Sequence, residues 1–248
     1  SCGAAALNMY RERHLDPLME RTNKRPLPSG RLSPREVLAF GATLSLAGVL
    51  LVLFGASPLG DDGTRSLGTL NWTAAALSAA IVVSYVAIYT PMKVITPLNT
   101  LVGAIPGGLP PVVGHAAITG SLAMQQLVLF AILFCWQIPH FLAIAWRYRE
   151  DYARAGMRML PVLDPTGYRT GITMLLYVGG LGIASFVPFF TGMAGGRYAV
   201  AAGLLDILFV APTVFAAVTR RDEAMRMTFL MSIVYLPLLF SVMVWDRL

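Results

Sequence analysis

Seven apolar stretches, each long enough for a helix to cross a bilayer, constrain this chain more than any other feature of its sequence. A membrane-spanning helix needs about 20 apolar residues. Backbone amides and carbonyls inside lipid must be satisfied within the segment itself, so each stretch is predicted to be an α-helix. The predicted spans lie at 37–57, 72–91, 98–118, 122–146, 171–190, 198–218 and 227–245. The predicted fold class is therefore all-α, a polytopic transmembrane helix bundle with about seven full spans.

The composition excludes an ordinary soluble domain. Only 13% of the 248 residues are charged and 56% are hydrophobic, whereas a soluble domain carries about 25% charged residues. Residues 1–7 read as the end of one more apolar span. We therefore expect residues 1–248 to form a single transmembrane domain that is incomplete at its N-terminus.

Basic residues are strongly asymmetric about the predicted spans. Of the 19 Lys and Arg residues, all but Arg65, Arg197 and Arg247 fall on one side. The positive-inside rule makes that side cytoplasmic, or the matrix side in a mitochondrion. Nucleic-acid binding is not expected, because the basic residues are divided among short loops without a binding module. The basic stretches are 8–36, 90–97, 147–170 and 219–226.

The first long basic segment contains a regularly spaced row of oxygen-bearing side chains. Asn8, Glu12 and Asp16 follow one another at intervals of four residues. On a continuous helix they would share one face and rise by about 12 Å. Such a row suits Mg²⁺, which prefers hard oxygen ligands and commonly shares them with a substrate phosphate. Arg21 and Arg25 repeat the spacing and are candidates to hold phosphate oxygens. A solvated helix end with intrahelical ion pairs is the alternative interpretation.

The second long basic segment follows the fourth predicted span. His140, Arg147 and Asp151 are spaced so that one continuous helix would place them close to one face. An ionisable residue inside a span is a candidate for function. The alternative for His140 is a neutral ring bonded to a neighbouring backbone carbonyl.

Several sequence motifs resemble those of one enzyme family. Residues 8–28 read N-x-x-x-E-x-x-x-D-x-x-M-x-R-T-x-x-R-P-L-P. Residues 136–141 read W-Q-x-P-H-F, and residues 151–156 read D-Y-x-x-A-G. Together they resemble the UbiA-type intramembrane prenyltransferase superfamily, and within it the branch that modifies heme. Members have nine transmembrane helices. The resemblance is most specific from Asn8 to about Pro161.

The resemblance implies an enzyme that transfers farnesyl from farnesyl diphosphate to a vinyl group of heme b, with Mg²⁺ assisting ionisation of the diphosphate. It implies a first metal–diphosphate motif made of Asn8, Glu12 and Asp16, with Asp151 in a second; Glu12, Asp16 and Asp151 are the expected catalytic residues. His140 is expected at the porphyrin. The expected supplementary cations are Arg21, Arg25, Lys93 and Arg147, and the aromatic rings expected near the prenyl cation are Tyr89, Tyr148 and Tyr152.

One departure from the superfamily pattern leaves a question open. The second motif is usually D-x-x-x-D, but here Tyr148 and Tyr152 occupy that spacing around Glu150 and Asp151. Which carboxylate of this segment contacts metal is therefore not decided by the motif.

Two other functions stay open at this stage. A prenyltransferase acting on an aromatic quinone precursor would share the metal site but does not predict the run 136–141. A transporter would place polar residues along a path through the membrane. Under the favoured interpretation the protein lies in a bacterial inner membrane or the mitochondrial inner membrane, and hands its product to heme-modifying or terminal-oxidase assembly proteins.

Overall fold

The computed structural model describes residues 1–56, 58 and 69–247, so that Arg65 lies outside the described residues. All seven predicted spans are confirmed as helices long and apolar enough to cross a membrane. The chain is 76% helical, and no strand occurs in the described ranges. The spans are Pro34–Gly55, Trp72–Met92, Asn99–Thr119, Met124–Arg147, Tyr168–Phe190, Gly196–Thr219 and Asp222–Trp245.

Proline and local hydrogen bonding divide some spans into more than one helix. The span that begins at Asn99 is interrupted at Leu109, because Pro110 has no amide hydrogen to continue the helical bonding. The span that begins at Trp72 contains a π-helical turn at Ser84–Tyr89. The helices are α1 (Cys2–Arg11), α2 (Pro34–Gly55), α3 (Trp72–Val83), α4 (Thr90–Met92), α5 (Asn99–Gly108), α6 (Pro110–Thr119), α7 (Met124–Arg147), α8 (Arg149–Arg154), α9 (Tyr168–Phe190), α10 (Gly196–Thr219) and α11 (Asp222–Trp245).

The described backbone forms two compact units. The first comprises residues 1–126 and 150–158, and the second comprises residues 127–149 and 159–248. In the first unit, α1 packs closely on α2 through small residues. A Cβ atom on Gly3 would lie 2.3 Å from Ser45 Oγ. Close approach of this kind at small residues is how membrane helices gain packing energy without a hydrophobic driving force between them.

The second unit contains a polar connection within its apolar core. Asp206 of α10 accepts hydrogen bonds from Ser185 Oγ of α9 and Tyr235 Oη of α11, each at 2.7 Å. Tyr198 Oη donates to the Ser185 carbonyl, also at 2.7 Å. Asp206 is thereby satisfied by its neighbours and links three helices, as lipid provides no alternative partner.

The row formed by Asn8, Glu12 and Asp16 is not on one continuous helix. Helix α1 ends at Arg11, and Asp16 begins a short 3₁₀ turn. Pro17 prevents a helix from running on through this segment, because it has no amide hydrogen to bond to the Arg13 carbonyl. The expected rise of one helical face therefore does not apply to these residues.

The expectation that His140, Arg147 and Asp151 share one continuous helix is also wrong. Helix α7 ends at Arg147, and Asp151 belongs to α8. The Arg149 side chain donates to the Trp146 carbonyl at 2.9 Å and so satisfies a carbonyl at the helix end. His140 and Arg147 remain on α7, two helical turns apart.

The three-helix link at Asp206 gives a stability prediction. Asp206→Leu removes the acceptor for two hydroxyl groups, so we expect it to destabilise the protein by about 1 kcal/mol. Unfolding by denaturing detergent in bicelles measures this change. Thr213→Val is the matched control in α10, since among the described residues Thr213 Oγ1 bonds only to the Phe209 carbonyl of its own helix. Equal stability of the two variants would contradict a linking role for Asp206.

Candidate active site

Buried polar side chains gather in the first unit where α1 ends. Asn8 Nδ2 donates to Glu12 Oε2 at 2.8 Å. Thr90 Oγ1 lies 2.8 Å from Asn8 Oδ1 and fixes the orientation of this amide. Asn8, Glu12 and Asp16 are all buried, and Asp16 is fully inaccessible at 0% exposure. The structure therefore brings the three residues of the first motif together although no single helix carries them.

Two cations balance these buried carboxylates. Lys93 Nζ lies 2.6 Å from Glu12 Oε1. Arg25 Nη1 lies 3.0 Å from Asp16 Oδ1 and 3.9 Å from Glu12 Oε2. Burial raises the pKa of Asp16 above its ordinary value, and the adjacent Arg25 guanidinium acts in the opposite direction. Buried charges need such partners, because desolvation without one costs several kcal/mol.

The π-helical turn positions an aromatic ring beside this cluster. The Thr90 hydroxyl also lies 2.8 Å from the Tyr85 carbonyl, five residues earlier, which stabilises the wider turn. Lys93 Nζ sits 4.6 Å from the centroid of the Tyr89 ring, and the Tyr85 and Tyr89 rings are 5.3 Å apart. Turns of this type occur often at functional sites. Here the turn places Tyr89 next to the cation that pairs with Glu12.

The second basic segment contributes Asp151 to the same unit. Asp151 accepts hydrogen bonds from the backbone amides of Glu20 and Arg21 at 3.4 and 3.3 Å, and it pairs with Arg154. Arg21 Nη2 donates to Tyr152 Oη at 3.0 Å. Asp151 therefore fastens the second basic segment to the chain that follows the first motif.

A second anchor holds the end of this segment. The Arg158 amide donates to the Lys93 carbonyl at 2.6 Å, and Asn99 Nδ2 donates to the Arg158 carbonyl at 3.2 Å. The backbone of Lys93 thus supports residues 150–158, while its ammonium group pairs with Glu12.

The other predicted site residues belong to the second unit. His140 Nδ1 lies 2.7 Å from Ser232 Oγ, and its ring stacks on Trp136 with centroids 4.9 Å apart. Phe229 also contacts the His140 ring, at 5.2 Å between centroids. At Nδ1 the structure shows a serine hydroxyl, and not the backbone carbonyl of the alternative interpretation. Arg147 Cζ lies 5.8 Å from the centroid of the Tyr148 ring.

Hydrogen-bond partners of the predicted residues were missed by sequence reasoning. Thr90 orients Asn8, Arg154 pairs with Asp151 and Ser232 contacts His140. The three-residue spacing of Asp151 and Arg154 was a usable signal for an ion pair on one helix. Thr90 and Ser232 are 82 and 92 residues from their partners, so no local pattern identifies them.

The donor chemistry at the end of α1 fits magnesium. In the described ranges, no group of three or more His, Cys, Asp and Glu side chains is arranged to hold a metal ion. Two carboxylates, Glu12 and Asp16, together with the Asn8 carboxamide offer hard oxygens instead. Mg²⁺ is commonly bound by one or two carboxylates and completes its coordination with substrate phosphates and water.

The fold is that of intramembrane prenyltransferases. An apo structure of a UbiA homolog from Aeropyrum pernix K1 is similar with a TM-score of 0.72 and 19% identity, covering 98% of this chain and 84% of that one. A structure from work on digeranylgeranylglyceryl phosphate synthase is similar with a TM-score of 0.75 and 17% identity, covering 98% and 80%.

The match extends to sequence, because the model of the UbiA prenyltransferase family covers residues 1–236. The chain belongs to the UbiA prenyltransferase family and is thus a prenyltransferase. A protein of Solibacter usitatus named protoheme IX farnesyltransferase is 45% identical over 245 residues, covering 99% of this chain and 79% of that protein. Proteins with the same name from Koribacter versatilis and Aquifex aeolicus are 41% and 35% identical, covering 100% and 99% of this chain and 77% and 79% of those proteins.

The position of the Tyr89 ring gives a prediction at Gly103. A Cβ atom at Gly103 would lie 2.6 Å from Tyr89 Cε2, so Gly103→Ala must displace the ring from Lys93. We expect prenyl transfer to fall between tenfold and a hundredfold, as small misplacements near a reacting centre cost about this much. Gly114→Ala is the matched control in the same span, because beyond its own helical backbone no atom of the described residues lies within 4 Å of the added Cβ. Unchanged turnover in Gly103→Ala, measured beside its melting temperature, would contradict a positioning role for Tyr89.

Proposed function

We propose that the chain transfers the farnesyl group of farnesyl diphosphate to a vinyl group of heme b. The observation that carries this proposal is the cluster at the end of α1, in which buried Glu12 and Asp16 pair with half-buried Lys93 and Arg25. Carboxylates and cations together suit a diphosphate, since the former can hold Mg²⁺ and the latter can bind phosphate oxygens. The relatives named protoheme IX farnesyltransferase support heme b as the acceptor.

Asn8, Glu12 and Asp16 would hold Mg²⁺, which supplies Lewis acidity that neutralises charge on a diphosphate leaving group. Lys93 and Arg25 lie against the same carboxylates and are placed to bind diphosphate oxygens. Arg21 is a further candidate for this role, beside Tyr152. Asp151 holds the two basic segments together, and we propose that it contributes to the second metal–diphosphate motif through this arrangement.

The proposed reaction begins with ionisation of the allylic C–O bond, in which the diphosphate departs with the electron pair. The π electrons of the heme vinyl group then form a bond to the terminal farnesyl carbon. Water adds to the resulting cation next to the porphyrin and loses a proton, which leaves a hydroxyl group. Tyr89, Tyr148 and Tyr152 offer ring faces that can stabilise a cation, and an apolar site limits premature capture by water.

The hydrogen bonds of Ser232 support a porphyrin role for His140. A serine hydroxyl has one hydrogen, and Ser232 Oγ donates it to the Phe229 carbonyl at 2.6 Å. We therefore propose that the Nδ1–H of His140 donates to Ser232 Oγ at their 2.7 Å contact. The neutral ring then has a lone pair at Nε2. Among the described residues, Nε2 has no hydrogen-bond partner. This tautomer suits contact with a heme iron.

Topology and family membership support the proposed location. The seven spans make this a multi-pass membrane protein, and we propose that the basic loops face the cytoplasm or the mitochondrial matrix. Because the family model extends over residues 1–236, we propose that both compact units belong to one prenyltransferase domain. The product would pass to heme-modifying or terminal-oxidase assembly proteins.

The metal assignment predicts the behaviour of Asp16→Asn. This variant keeps the size of the side chain but removes its charge, so we expect turnover of heme b to fall by about a hundredfold or more. Part of the activity should return at raised Mg²⁺, because loss of a ligand lowers metal affinity. Product analysis by mass spectrometry provides the measurement.

Glu36→Gln is the control for Asp16→Asn, since glutamine also caps a helix at this position. Near-normal turnover of Asp16→Asn at ordinary Mg²⁺ would rule out its place in the metal site. Parallel assays with a quinone-precursor acid test the acceptor: prenylation of that acid but not of heme b would overturn the proposed function.

His140→Ala should separate the two substrates. We expect it to weaken heme b binding about tenfold or more, as expected for loss of one good interaction, while farnesyl diphosphate binding changes little. Titrations with each substrate in nanodiscs measure both affinities. His115→Ala, on α6 of the first unit, is the matched control. Equal losses for both substrates, or for neither, would leave His140 as a residue that only packs α7.

A further inference from the structure

A pocket of about 340 Å³ lies within the second unit, between the last turn of α7 and the first turns of α11. Three aromatic residues, Trp146, Tyr148 and Phe229, form part of its wall, together with two arginines, Arg147 and Arg226. The remaining lining residues are Ala143, Ile144, Asp222 and Glu223. Flat apolar walls with a few convergent polar groups are typical of small-molecule sites.

The two arginines have no carboxylate partner within the described part of the chain. Asp222 is already engaged, because it accepts from Trp146 Nε1 at 2.8 Å and from Arg149 Nη1 at 3.2 Å. Arg147 and Arg226 therefore keep their hydrogen-bonding capacity for a ligand. Guanidinium groups bind carboxylates in a bidentate manner and stack on flat rings.

The Trp146 wall is held rigidly. A Cβ atom on Gly167 would lie 2.6 Å from Trp146 Cη2, and Arg149 Cζ lies 4.9 Å from the centroid of the indole ring. Together with the bond to Asp222, these contacts leave the ring little freedom. A site whose wall is fixed before binding loses less entropy when a ligand is bound.

The pocket lies next to His140, along the same faces of α7 and α11. The two helices are antiparallel, with His140 level with Ser232 and Arg147 in the same pocket as Arg226. His140 and Arg147 are separated by seven residues, or about 10 Å along the helix. Phe229 contacts the His140 ring and also lines the pocket.

We propose that this pocket binds the propionate carboxylates of the porphyrin acceptor, through Arg147 and Arg226. The inference rests on the proposed function in that the acceptor is heme b. The pocket is too small for a whole macrocycle and accommodates one edge, and the separation along α7 allows that edge to be held while His140 contacts the ring centre. Arg226, which no sequence motif identified, becomes a residue that determines acceptor specificity.

Esterified heme tests the proposal, since heme b dimethyl ester keeps the macrocycle, the iron and the vinyl groups but has no carboxylates. The full-length protein in phosphatidylcholine nanodiscs is titrated with heme b and with the ester by absorbance. We expect Arg226→Gln to bind heme b about tenfold more weakly, a charge-assisted hydrogen bond having been lost, and to bind the ester as the wild type does. Farnesyl diphosphate binding should not change.

Two further variants give the controls. Arg221→Gln removes a neighbouring arginine that does not line the pocket, and it should bind both hemes like the wild type. Glu223→Gln removes a negative charge from the pocket wall, and it should bind heme b more tightly without affecting the ester. This opposite change is not expected from a variant that merely perturbs folding.

Different outcomes separate this inference from the proposed function. If the wild type binds heme b and the ester equally, or if Arg226→Gln weakens both alike, the carboxylate site is overturned whether or not turnover is seen. If heme b is bound in preference to the ester but never prenylated, the carboxylate site stands and the proposed function fails. A third outcome is that the protein retains phosphatidylglycerol only when Arg226 is present and binds the two hemes equally. That outcome would assign the pocket to a lipid headgroup and overturn the proposal.

Discussion

The inability of lipid to hydrogen-bond a polypeptide backbone determines most of this structure. Every span must satisfy its own amides and carbonyls, so the chain crosses the membrane as helices. Polar side chains within the spans must also find partners, as Asp206 does with Ser185 and Tyr235. Charged groups are otherwise concentrated in the segments between spans. The residues of the candidate site therefore lie at helix ends and in connecting segments, positioned by a largely apolar scaffold.

Charge compensation organises the candidate site at the end of α1. Glu12 and Asp16 are buried and need counter-charges, which Lys93 and Arg25 supply. The same cations are suited to diphosphate oxygens, so substrate and Mg²⁺ could replace these ion pairs with equivalent ones. Such an exchange keeps the buried charges compensated both before and after binding, and a buried charge without a partner is costly. Under the proposed function, the charges of the cluster are therefore compensated both with and without substrate.

Under the proposed function, the second unit would recognise the acceptor with aromatic rings and arginines rather than carboxylates. In the proposed tautomer, Ser232 Oγ accepts a hydrogen bond from His140 Nδ1 and donates its own hydrogen to the Phe229 carbonyl. Further along the same two helices, Trp146 and Phe229 form apolar walls beside Arg147 and Arg226. A planar acceptor with acidic substituents matches this arrangement in both shape and charge.

The sequence by itself determined the fold class, the seven spans and the membership of Asn8, Glu12 and Asp16 in one motif, because hydropathy and short-range spacing are local properties. It did not reveal that α1 ends at Arg11 or that α7 ends at Arg147, since both depend on how local breaks compete with helix propagation. Only the tertiary structure paired Lys93 with Glu12, Thr90 with Asn8 and Ser232 with His140. These partners are some 80 to 90 residues apart in the chain, and it is helix packing, which no local pattern encodes, that brings them together.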